Sequence, residues 1–156
     1  MDKLKVGIIG SGFIAEHHCF SYSQLPYAEI VGISSLNTEE TNKLMKKYSI
    51  QCNFYKNYEN LIKSNCDVIS VCVPNYLHPK ITTDILNSGK HALVEKPLAT
   101  TVEEGREMLD TEKSSNRNIF YCENNIFAPS FSKVKEIIED GALGQIYMGR
   151  GRRSTT

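Results

Sequence analysis

Net charge is the first thing this chain lacks. Its 156 residues carry 18 Lys and Arg against 18 Asp and Glu. A dedicated nucleic-acid binder is usually basic overall, so that class is disfavoured from the outset. Paired cysteines are also missing. Cys19, Cys52, Cys66, Cys72 and Cys122 are odd in number and contain no C-x-x-C pair. They read as reduced core thiols of a cytoplasmic protein. A secretory leader is not expected, because Asp2 and two lysines precede only a short apolar run. No stretch is long enough to span a bilayer, and no repeat or low-complexity tract interrupts the chain.

What is present is a regular alternation of short apolar runs and helical patterns. It is organised around residues 5–15, Lys5-Val6-Gly7-Ile8-Ile9-Gly10-Ser11-Gly12-Phe13-Ile14-Ala15. Val6, Ile8 and Ile9 suit a strand buried on both faces. Gly10, Gly12 and Ala15 then match the G-x-G-x-x-G/A pattern of a dinucleotide site. Gly10 permits the tight turn, Gly12 leaves room for a pyrophosphate, and Ala15 lets the next helix lie close to the strand. That helix, expected from Phe13 to about Gln24, points its free N–H groups and positive dipole end at the phosphates, with Phe13 and Ile14 in its first turn.

Residues 29–35 form the expected second strand. In a Rossmann unit its tip carries an acid that grips the ribose hydroxyls of NAD, or an arginine that holds a 2′-phosphate. Here the tip reads Ser34-Ser35-Leu36, with neither. Serine hydroxyls bond a ribose or a phosphate, so the choice between NAD and NADP stays open. Turn shaping is the plainer role for Ser34 and Ser35.

Cys66–Val73 is the clearest strand, β-branched and apolar in character. It ends at Pro74-Asn75-Tyr76-Leu77-His78. Ligands in such folds bind at the carboxyl ends of the strands, which places Pro74, Asn75 and His78 near the nicotinamide end of a cofactor. A turn or helix cap is the plainer reading of Asn75, and a capping or surface histidine that of His78. The strand His91–Val94 ends in Glu95-Lys96-Pro97. A lysine there holds a substrate hydroxyl and helps remove its proton, with Glu95 orienting it or tuning its pKa. The alternative is a solvated ion pair beside a turn. Adjacent His17 and His18 cannot share a buried helix face, and no metal is expected. Thr101-Val102-Glu103-Glu104 reads as a capping box. Gln145–Arg153 alternates as a strand would.

The glycine turn, Pro74-Asn75-x-x-His78 and Glu95-Lys96-Pro97 together resemble the glucose–fructose oxidoreductase, inositol dehydrogenase and MocA family (Gfo/Idh/MocA) over essentially the whole chain. The resemblance implies an α/β fold with a doubly wound parallel sheet over 1–125. A linking helix and the first strand of a substrate and oligomerisation domain would follow over 126–156. It implies an NAD(P)-dependent oxidoreductase of a sugar-like or polyol substrate, with Lys96 beside nicotinamide and substrate. The family's catalytic histidine belongs to the second domain, so none of His17, His18, His78 or His91 is assigned it. The expectation is a chain cut short as that domain begins. A dinucleotide-binding module without turnover is the alternative function. Pairing of the C-terminal strand with a second copy is a further expectation. Nucleic-acid binding through Arg150, Arg152 and Arg153 is the least favoured reading.

Overall fold

The stretch Lys5–Ile9 does form a strand, and its burial explains its β-branched residues. Val6, Ile8 and Ile9 are all buried. The computed structural model describes residues 2–151, and the chain divides into two compact units, Met1–Cys122 and Glu123–Thr156.

In the first unit the elements alternate in order. They are β1 (Leu4–Ile9), α1 (Phe13–Ser23), β2 (Ala28–Ser34), α2 (Thr38–Lys47), β3 (Asn53–Tyr55) and α3 (Tyr58–Ile62). These are followed by β4 (Val68–Val71), α4 (His78–Asn87), β5 (His91–Glu95), α5 (Val102–Ser115) and β6 (Ile119–Cys122). All five strand pairings are parallel, in the order β3-β2-β1-β4-β5-β6. This is the doubly wound α/β arrangement expected. The order reverses between β1 and β4, and that switch point is where such sheets open a crevice for ligands.

The core forms two clusters. Ala15 and Cys19 of α1 and Leu44 of α2 pack with Val6, Ile8, Ile30 and Ile33. Leu61 of α3 and Ile81, Ile85 and Leu86 of α4 pack with Ile69, Val71 and Val94. Local chemistry sets the helix starts. The Asn37 side chain accepts from the Glu40 N–H at the head of α2. Thr101 and Glu104 make the reciprocal capping box of α5. That helix stops at Asn116, which takes the left-handed conformation.

The second unit has a 3₁₀ turn at Asn124–Phe127 and the helix α6 (Pro129–Glu139). The expected strand from Gln145 does not form. Gln145–Gly151 are exposed and take no strand conformation. A strand needs a partner to satisfy its backbone, and the described residues supply none. Arg152, Arg153 and 154–156 lie outside the described residues.

Candidate dinucleotide site

The glycine turn sits at the carboxyl end of β1, against the ends of its two neighbours. The Gly10 N–H bonds the Ser34 carbonyl at 2.8 Å, and the Cys72 N–H bonds the Ile9 carbonyl at 2.8 Å. Gly10 has φ +121°, and a Cβ there would collide with the Cys72 carbonyl oxygen. Only glycine fits that position. Gly12 is different: a Cβ there would meet nothing within 4 Å. Its bare backbone faces open space at the start of α1, the geometry a pyrophosphate needs for close approach.

That space is a cleft of about 950 Å³. One end is formed by Gly10, Gly12, Phe13 and Ile14, with Ser34, Ser35 and Leu36 at the β2 tip; Pro74, Glu95 and Lys96 close the other. A groove of about 1060 Å³ lies where the strands begin, around Leu25, Glu29 and Ile50. Parallel sheets bind ligands at the opposite end, so the glycine-lined cleft is the candidate site.

Asn75 and His78 do not line it. Asn75 begins an exposed 3₁₀ turn. His78 is buried at the head of α4, with Nδ1 2.7 Å from the Pro97 carbonyl and Nε2 2.9 Å from that of Val73. Both ring nitrogens are engaged within the protein, so His78 ties the end of β4 to the turn after Lys96. The Lys96–Pro97 peptide is cis.

Glu95 is buried beneath the cleft and Lys96 is exposed at its mouth. The Lys96 N–H donates to Glu95 Oε2 at 3.3 Å, and Glu95 Oε1 lies 3.0 Å from His18 Nε2. His18 thus fixes the carboxylate that steadies the backbone of Lys96. The helical spacing of His18 with Tyr22, one turn on, is the sequence signal for this inward face. Their rings meet edge to face, and the Tyr22 hydroxyl reaches Ser70 at 2.8 Å. Adjacency to exposed His17, which packs on Phe13, hid it.

His18, Glu95 and Cys122 bring donor atoms within 4.8 Å of one another, and the direct His18–Glu95 bond holds the group together. Burial, with Glu95 adding to it, pushes the Cys122 thiol up to about 12. Burial likewise raises Cys72 well above the ordinary thiol range, with Glu95 again contributing. Both remain protonated near neutrality, so neither is an activated nucleophile.

With this geometry in place, the comparisons with known proteins are decisive. A family model described as an oxidoreductase family with an NAD-binding Rossmann fold matches residues 4–122. The chain belongs to the Gfo/Idh/MocA family. D-Glucoside 3-dehydrogenase of Escherichia coli (strain K12) is 32% identical over 152 residues, covering 97% of this chain and 43% of that protein. Myo-inositol 2-dehydrogenase from Lactobacillus plantarum superposes with a TM-score of 0.86 at 26% identity, covering 93% of this chain and 43% of its own. The WlbA dehydrogenase from Bordetella pertussis, solved in complex with NADH and UDP-GlcNAcA, gives 0.85 at 26% identity, covering 93% and 44%. The Gfo/Idh/MocA chain described here spans less than half the length of these relatives. No helix in its described residues is long and apolar enough to cross a membrane.

Proposed function

We propose that this chain provides the dinucleotide site and Lys96 for an NAD(P)-dependent oxidoreductase acting on a hydroxyl of a sugar-like or polyol substrate. One observation carries the reading: the open glycine turn and the Glu95–Lys96 pair face the same cleft, at the carboxyl ends of β1 and β5. The residues fit a dinucleotide. Gly12 leaves the phosphates an approach that a side chain would fill, and the N-terminus of α1 supplies N–H donors. When bound, the nicotinamide supplies the hydride acceptor or donor.

The chain's own residues do the rest. Lys96, at the mouth, binds the reacting hydroxyl and helps move its proton. Glu95 holds the Lys96 backbone, and His18 holds Glu95. His78 anchors the turn that follows. Relatives named as glucoside and inositol dehydrogenases support the substrate class. Unpaired cysteines are in keeping with a reducing, cytoplasmic setting.

A second reading is a module that binds dinucleotide without turning substrate over. It draws on the glycine turn alone, whose open backbone and helix N-terminus suit phosphates without any group that handles a substrate. Titration on the coenzyme's own fluorescence tests both readings, since the chain has no tryptophan. NADH or NADPH binding with turnover across a polyol panel selects the first, and binding without turnover the second. Gly12→Val should lower affinity at least tenfold, about 1.4 kcal/mol. The fold should persist, because the methyl groups enter open space. Parent-like binding by that variant would remove the site assignment.

A further inference from the structure

The β2 tip carries no acid in sequence, yet the fold delivers one. Glu40 stands in the first turn of α2, six residues beyond Ser34. Its Oε2 accepts from the Ser11 hydroxyl at 3.4 Å and from Asn37 Nδ2 at 3.3 Å. Ser11 belongs to the glycine turn and Ser35 to the β2 tip, and their hydroxyl oxygens are 2.6 Å apart. The Asn37 N–H donates to Ser35 Oγ at 3.0 Å. Ser11, Ser35 and Asn37 all line the cleft.

A hydroxyl has one proton. The short contact between the serines takes its proton from either hydroxyl, and the Ser11–Glu40 contact is the longer of the two. Glu40 stands behind the lining serines, and its carboxylate sets negative charge beside the hydroxyl oxygens they present to the cleft. Lone pairs and a carboxylate accept from ribose hydroxyls. A 2′-phosphate carries about −1.5 to −2 charge and no donor to offer them, so it meets repulsion.

We propose that Glu40, acting with the Ser11–Ser35 bridge, is the coenzyme-specificity residue of this cleft and selects NAD over NADP. The inference rests on the dinucleotide reading given above. Lys56 and Lys80 also line the cleft and oppose this, since an ammonium there would favour a phosphate; Lys80 is paired with Asp84 at 2.8 Å, which leaves Lys56 the stronger opponent.

The test is direct binding of NADH and NADPH to the full chain, followed by coenzyme fluorescence at low and high salt. The parent should bind NADH at least about tenfold more tightly than NADPH, a gap that narrows with salt. Glu40→Gln should close most of that gap by strengthening NADPH binding, with NADH changed by less than about threefold. Glu40 is exposed and its backbone N–H, not its carboxylate, meets the Asn37 cap, so the variant should fold. Lys56→Gln should leave NADH preferred. Equal binding of the two coenzymes by the parent would overturn the proposal. So would an unchanged ratio in Glu40→Gln, or an NADPH preference that Lys56→Gln abolishes. Failure of the parent to bind either coenzyme would instead remove the dinucleotide reading, and this inference with it.

Discussion

α4 and α6 carry similar amphipathic patterns and meet opposite fates. In α4, Ile81, Ile85 and Leu86 are buried against the sheet. In α6 no residue is buried, and Val134 and Ile138 are exposed. The contrast extends to the units that contain them. The core residues all fall between Val6 and Met108, whereas no described residue from Glu123 onward is buried. An apolar stripe states what a helix can cover, and burial follows only where a neighbour offers a matching face.

Mutation should reproduce this contrast. The largest effect is expected at Leu61, which is fully buried in the cluster beneath α3 and α4. Leu61→Ala should cost about 2–5 kcal/mol in urea unfolding, through lost transfer energy and the cavity left behind. A cost under about 1 kcal/mol would mean the site repacks and the core is less committed than its burial indicates.

Thr101→Ala, at the exposed head of α5, should cost about 1 kcal/mol by removing the cap. The same box has a pH signature. Hydrogen bonds from Thr100 and Thr101 hold the Glu104 carboxyl below its ordinary value of 4.5. A depressed folded pKa stabilises above the unfolded value, and the contribution disappears as pH falls through the folded one. The stability difference between parent and Glu104→Gln should therefore be present at neutral pH and shrink below about 4.5. A difference that is constant down the acid limb would remove the box as its source.

The smallest effect is expected at Ile138→Ala, within about 0.5 kcal/mol. A cost there approaching that of Leu61→Ala would show that the α6 face is covered in solution, and would erase the difference between the two helices.

The strands and helices of the first unit were legible because their signals are local. Val68, Ile69 and Val71 are β-branched, and the Asn37 and Thr101 caps lie within four residues of the groups they satisfy. Gly10 was legible for the same reason, since its turn restricts the residue that can stand there. The strand expected from Gln145 failed because alternation specifies which faces a strand presents, and its existence depends on a partner. His78 misled in a related way. Its position after a strand's carboxyl end suggested the cleft, but bonds to Val73 and Pro97, the latter 19 residues on, turn it inward.

By itself, then, the sequence determined a doubly wound parallel sheet, a glycine turn at the carboxyl end of β1, and a lysine at the carboxyl end of β5. Each follows from backbone preferences and side-chain periods that act over a few residues. Tertiary structure decided which distant groups serve that cleft. Glu40 meets Ser11 across 29 residues, and His18 meets Glu95 across 77. Such partners are set by parallel strand register and by how the helices pack across the sheet. Neither is encoded in a short stretch of chain, because a crossover joins parallel strands and separates in sequence what it brings together in space.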